Sequence, residues 1–220
     1  MKTLVLFVNF LNLINLNTMG RKSIGKVRKL EIINVFYKIA KKEGLENISI
    51  AKIADAMGVN PSLIIHYFKT KEELTYELIT FILEKYLSLF KINTKVPIEK
   101  ELITVIDNLF SKKWNRLIDD SLFYSCFALT YRNKKIKSQY KDLTTTLREN
   151  LAALLQRCMD AGLITNGNSM LKAELIFAIV DGAYFYLTLT STTHQDFDKG
   201  FLNYKIHAYQ VLGITQSHLS

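Results

Sequence analysis

Four histidines, two cysteines and one adjacent acid pair are the residues of this 220-residue chain best suited to covalent or metal chemistry, and none is spaced for it. His66, His194, His207 and His218 lack the short intervals that bring two imidazoles onto one metal. Cys126 and Cys158 are too few and too far apart for a disulfide framework or a zinc motif, and read as reduced core thiols of a cytosolic protein. Asp119 and Asp120 are neighbours, so on a helix they face different directions and form no paired-carboxylate site. There is no G-x-S-x-G, no glycine-rich phosphate loop and no H-E-x-x-H. The reading is a non-enzyme with no metal and no cofactor. What remains is recognition chemistry. Asn60, Ser62, Leu63 and His66, with Ile65 among them, crowd one short stretch and offer small hydrogen-bonding groups beside apolar ones.

Those residues need elements to hold them. From Val27 to Lys42 the apolar positions Val27, Leu30, Ile33, Ile39 and Ala40 recur at helical spacing, and Gly44 marks the end. Ser49 is a helix N-cap, and Ile50, Ile53, Ala54 and Met57 then follow i, i+3, i+4, i+7 on a second, short helix. Gly58-Val59-Asn60 interrupts for three residues. Pro61 opens a third helix reaching Tyr67, with Asn60 as its cap. Thr70-Lys71-Glu72-Glu73 reads as a capping box, with Glu73 bonding back to the cap of a long fourth helix that runs to Leu89. Two short helices joined by a glycine-led turn of three residues make a helix-turn-helix, with Ile53, Met57, Val59 and Ile64 closing the core between them.

Five further helices are expected at about 97–112, 114–131, 134–162, 169–192 and 197–212. The fold class is therefore all-α, with about nine helices: a three-helix N-terminal unit followed by a larger helical domain. The domains fall at 1–18, an N-terminal extension, 19–74 and 75–220. Net charge is +9, which favours an anionic partner, and the excess is concentrated near the N-terminus. Residues 19–74 carry 11 Lys and Arg against 6 Asp and Glu, whereas residues 75–220 carry 17 against 14. No later apolar run reaches the ~18 residues that span a bilayer, and no membrane partner is expected.

The stretch "ISIAKIADAMGVNPSLIIHYFKTKEEL", Ile48–Leu74, with the preceding "AKKEGLENISI", resembles the DNA-binding segment of TetR-family transcriptional regulators. The specific resemblance covers about Val27 to Leu74. Beyond it, only helix count, length and the "IVDGAYFYL" segment around Asp181-Gly182 are similar. The resemblance implies that Ser49 contacts a phosphate at a helix N-terminus, that Asn60, Pro61, Ser62 and Leu63 face base edges, and that Lys71 contacts backbone phosphate. The family often has Tyr where this chain has Ile65, so His66 or Tyr67 takes over its phosphate contact, and Ile65 or Leu63 touches thymine methyls. The recognition helix is poor in Arg and Lys. Affinity should come from phosphate contacts, including a basic arm of Arg21, Lys22, Lys26 and Arg28.

For the larger domain the resemblance implies a two-fold dimer through the last two helices and a site for an inducer. Leu175, Ile179, Gly182, Ala183 and Tyr209 are the expected interface, since helix 169–192 is apolar around much of its circumference. Trp114, Phe123, Phe127, Tyr131 and Tyr184 are the candidate pocket, and with no strong charge among them the ligand should be apolar or neutral. The expectation is a cytoplasmic homodimeric repressor released from a palindromic double-stranded DNA operator by a small molecule. The alternative is a non-catalytic helical module that binds a protein or an anionic membrane surface.

The opening MKTLVLFVNFLNLINLNTMG resembles a signal peptide at Lys2 and Leu4–Val8, but Asn9, Asn12 and Asn15 interrupt the apolar run and no small-x-small cleavage site precedes Met19. The expectation is that translation begins at Met19, leaving a basic arm before the first helix. A helical extension with Asn9, Asn12 and Asn15 on one stripe is the other reading.

Overall fold

A computed structural model describes residues 21–89, 96–111 and 119–214. The N-terminal extension 1–18 and Trp114 lie outside the described residues. Among those described, the chain is all-helical, with nine α-helices, one turn of 3₁₀ helix and no strand. It divides into two compact units, one ending at Ile79 and the other beginning at Thr80. That boundary lies within a helix, five residues beyond the Leu74 limit expected from sequence.

The first unit contains α1 (Arg21–Glu43), α2 (Ile50–Met57), α3 (Pro61–Tyr67) and the start of α4 (Lys71–Leu89). Its core is built from Ile32, Ile33, Phe36 and Ala40 of α1, Leu45 and Ile48 of the link, Ile53 and Ala54 of α2, Ile64, Phe68, and Leu74 and Leu78 of α4. Two expectations shift. The buried face of α1 is set by Ile32, Ile33, Phe36 and Ala40, while Val27 and Leu30 are exposed. Apolar residues stand on several sides of α1, so more than one phase fits, and the partner surface selects one of them. In addition, the described residues are helical from Arg21 onward, so the basic residues expected as an arm ahead of the helix lie within α1.

The second unit continues α4 and adds α5 (Ile98–Leu109), α6 (Asp120–Ala128), α7 (Lys134–Asp160), α8 (Ser169–Thr190) and α9 (His194–Leu212). The α6 helix closes in a 3₁₀ turn at Leu129–Tyr131. A stripe at Ile136, Tyr140, Leu143, Leu147, Leu151, Leu154, Leu155 and Cys158 buries one face of α7. Burial pushes the Cys126 thiol up to about 12 and Cys158 to about 11, so both stay protonated, as core thiols do. The α5 and α7 helices are also tied by a carboxylate: Glu101, 2% exposed, accepts from Arg157 at 2.9 Å.

The α8–α9 pair packs closely. A Cβ on Gly200 would stand 2.4 Å from Leu187 Cδ2, so glycine lets the two helices approach there. Gly182, expected at the dimer interface, has nothing of its own chain within 4 Å of a Cβ. The start of α9 is fixed by a reciprocal capping box at Thr193 and Asp196, three residues ahead of the expected helix start. By length and composition α8 is apolar enough to cross a bilayer, contrary to the sequence expectation. One of its faces, Ala173, Ile176, Phe177, Val180, Ala183 and Leu187, is nevertheless buried in this unit.

Candidate functional site

The geometry of the first unit is set from the turn outward. Ser49 Oγ accepts from the Lys52 N–H at 3.2 Å, capping α2 as expected. Gly58 closes α2 in the left-handed region at φ 64°, and the Gly58 and Val59 N–H groups donate back to Asp55 at 3.1 Å and Ala54 at 3.0 Å. The chain then turns at once. Asn60 Oδ1 accepts from the Ser62 N–H at 2.9 Å, and Pro61 supplies the first residue of α3.

Ile53, Ala54, Ile64 and Phe68, all fully buried, lock the two helices. Each large side chain there contributes on the order of 1.5–3 kcal/mol of burial. Met57 and Val59 are only half-buried, and Phe68, which the spacing did not single out, takes their central place.

This frame presents Asn60, Pro61, Ser62, Ile65 and His66 to solvent, with Leu63 and Tyr67 half-exposed. Ile65 keeps 49% of its surface exposed, an apolar spot beside the polar N-terminal end of α3. The rings of His66 and Tyr67 meet edge-on at 5.1 Å. Lys26 and Ser49 are exposed as well. Lys71 is exposed and holds only a long 3.4 Å contact to the Glu46 carbonyl, so its charge is available to an anion. Three other cations are committed. Lys52 lies 2.9 Å from both Glu43 Oε2 and the Asn47 carbonyl, and holds the Glu43 carboxyl below the usual range. Arg28 pairs with Glu31 at 2.7 Å, and the Lys29 ammonium sits 5.1 Å over the Phe68 ring. The α4 cap differs in one bond from the expected box: Thr70 accepts from the Glu73 N–H at 3.1 Å, but the Glu73 carboxylate reaches the Lys69 N–H at 2.9 Å, one residue earlier than the cap.

A family profile described as "Bacterial regulatory proteins, tetR family" matches residues 32–78, and a second, "Tetracyclin repressor-like, C-terminal domain", matches residues 98–214. The chain belongs to the TetR family. It is a DNA-binding transcription regulator by that membership, and the first profile spans the α2–turn–α3 helix-turn-helix. Solved structures share the fold at low identity. A TetR transcription regulator from Haloarcula marismortui is 18% identical with a TM-score of 0.72, covering 86% of this chain and 97% of its own. A Rhodococcus transcriptional regulator is 16% identical with a TM-score of 0.66, covering 85% and 98%. A Saccharomonospora viridis regulator in complex with choline is 17% identical with a TM-score of 0.65, covering 81% and 94%. No curated protein matches the sequence.

The second unit of this TetR-family chain holds a cavity of about 310 Å³. Phe123, Phe127 and Tyr184 line it, as expected. Tyr131 does not; it stands 82% exposed at the end of the 3₁₀ turn, with its ring 6.0 Å from Phe127. Tyr184 is anchored by its hydroxyl, which donates to the Ser111 carbonyl at 3.2 Å, and by edge contact with Phe201 at 4.9 Å. Tyr124, Tyr140, Phe177 and Phe185 complete the aromatic wall.

The expectation of an uncharged pocket fails, because Arg148 and Asp181 also line it, 3.7 Å apart. A readable signal existed. Tyr140, Thr144 and Arg148 follow i, i+4, i+8, as Phe177, Asp181 and Phe185 do, placing charges within aromatic rows.

Of the expected interface, Leu175 is 44% exposed, Ile179 half-buried and Gly182 exposed. Ala183 and Tyr209 are not on that face: at 1% and 4% exposure they belong to the protomer's own core. Burial, with the Asp107 carboxylate adding to it, pushes the Tyr209 hydroxyl up to about 12.

Proposed function

We propose that this TetR-family chain is a cytoplasmic repressor that binds a palindromic operator as a two-fold dimer and releases it when a small molecule enters the second-unit cavity. The observation that carries the DNA half is the N-terminal end of α3. Asn60 and Ser62 stand exposed beside Ile65 and His66, on a helix locked from beneath by Ile64 and Phe68. Asn60 to Leu63 would meet base edges, Ile65 a thymine methyl, and Ser49, Tyr67, Lys26 and Lys71 the phosphates. Without an Arg or Lys on α3, guanine is not read in bidentate fashion, and A·T-rich half-sites suit these side chains best.

The dimer rests on an exposed apolar row that a lone protomer leaves wet. Leu171, Leu175, Tyr186 and Leu189 of α8 are exposed, and Leu202 of α9 joins them. Gly182 lies in the same stretch of α8 with open space over it, so a partner helix can come close. Ligand control is supported by the cavity, whose volume and aromatic lining suit a small molecule. The choline complex of the Saccharomonospora viridis relative is in keeping with a ligand-responsive regulator.

Selection of preferred sites from random duplexes tests the proposal. A palindrome with half-sites about one helical turn apart is expected. Binding to anionic vesicles with no preference among duplexes would instead support the interaction-module reading.

A further inference from the structure

Three hydroxyls of the cavity wall are committed to carbonyls of the chain. The hydroxyls of Tyr140, Thr144 and Tyr184 donate to the carbonyls of Phe123, Lys141 and Ser111, at 3.5, 2.9 and 3.2 Å. Arg148 is different. Its side chain is only 25% exposed, and it is pinned to the wall by a bond from Nη1 to the Thr144 carbonyl at 3.1 Å and by the Phe177 ring 4.9 Å from Cζ. A guanidinium has five N–H donors in a planar fork, and the contacts among the described residues use one of them fully. Asp181 approaches Nη2 no closer than 3.7 Å, beyond hydrogen-bond length, and its side chain keeps 70% of its surface at the cavity mouth. The fixed charge inside the cavity is therefore positive, and the acid beside it is loosely held.

We propose that the cavity takes an amphipathic carboxylate, a flat apolar body against Phe123, Phe127, Tyr140 and Phe177 with its acid group on the free edge of Arg148. The proposal rests on the reading of this cavity as a ligand site. A carboxylate matches the guanidinium fork, and the apolar surroundings strengthen the pairing. The ligand acid would replace Asp181 as the partner of Arg148. A cation is disfavoured. Aromatic faces attract cations in general, but here Arg148 already covers Phe177 and repels a second positive charge.

Three probes of one shape test this on the full chain by titration calorimetry: 2-naphthoate, neutral 2-naphthamide and cationic 2-naphthylmethylammonium. Naphthoate should bind about tenfold tighter than naphthamide, as a charge-assisted pair requires. Arg148→Met should abolish that preference while naphthamide still binds, and Arg148→Lys should keep part of it. Asp181→Asn should leave naphthoate affinity equal or higher. Equal binding of naphthoate and naphthamide by the wild type, or a preference for the ammonium that Asp181→Asn removes, overturns the carboxylate proposal and leaves the cavity a ligand site. Failure of all three probes to bind, together with failure of each to lower affinity for the selected duplex, overturns both.

Discussion

Lys71→Ala isolates one phosphate contact per protomer. The side chain is exposed, and its nearest acceptor is the Glu46 carbonyl at 3.4 Å, so its loss should change folding stability by less than ~0.5 kcal/mol. If Lys71 neutralises a phosphate in each half of a dimer complex, the variant loses two neutralised phosphates. The slope of log K against log salt then becomes shallower by ~1.8. Over a fourfold rise in salt that difference amounts to roughly a twelvefold change in relative affinity. Wild type and variant should therefore lie far apart at low salt and draw together by about that factor at high salt. The loss should be the same on the selected operator and on random duplex, because a phosphate contact carries no sequence information. Fluorescence anisotropy with both duplexes across a salt series measures all of this. Lys52→Ala is the control: its ammonium already lies 2.9 Å from Glu43 and from the Asn47 carbonyl, so its slope should match wild type. An unchanged slope in Lys71→Ala, or an equal flattening in Lys52→Ala, refutes the reasoning from which cation is committed.

Gly58→Ala should destabilise the chain by about 1 kcal/mol in chemical denaturation, purely through the backbone, since φ is 64° and a Cβ there meets nothing within 4 Å. A neutral substitution would contradict that left-handed turn. Leu175→Glu should yield a folded monomer in sedimentation, because this residue is 44% exposed within the protomer and would place two carboxylates across the two-fold axis; a dimer of unchanged strength moves the interface elsewhere. Asp196 has a lowered pKa through the Thr193 and Thr192 hydroxyls, so its contribution to stability is present above the ordinary carboxylate range and fades as pH falls through the lowered value. Thr193→Ala should raise the Asp196 titration midpoint followed by NMR, and a midpoint that stays put would show that the cap does not hold the carboxylate.

The helix-turn-helix was legible because its residues admit few alternatives. A serine cap, an i, i+3, i+4, i+7 apolar set, a left-handed glycine and an Asn-Pro start are local signals, and each constrains the backbone within four residues. The structure keeps the caps, the glycine and the Asn-Pro start, and of the apolar set it buries Ile53 and Ala54. Misreadings in the same unit came where the signal was not local. Ile32 and Phe36 rather than Val27 and Leu30 join the expected Ile33 and Ala40 in the buried face of α1, because the packing partners choose the face and apolar residues stand on several sides of that helix. Phe68 follows the end of α3, where no periodicity marks it, yet its N–H bonds the Ile64 carbonyl at 2.8 Å and its ring is fully buried.

The second unit was harder for a physical reason visible in α8. Leu171, Leu175 and Leu189 are exposed, Ala173, Ile176 and Ala183 are buried, and Phe177, Asp181 and Phe185 line a cavity. A helix that serves three surfaces with apolar residues has no polar face to fix its phase, so periodicity cannot assign any one residue to any one surface. Ala183 was thus expected at the interface and lies in the core, whereas Gly182, its neighbour, faces open space. The two charges could have broken the degeneracy. Asp181 interrupts the apolar run of α8, Arg148 lies beside the buried stripe of α7, and each stands four residues from an aromatic or polar cavity residue on its own helix. A charge inside an apolar row costs stability unless it meets a partner or water, so the pair marks the place where the wall opens.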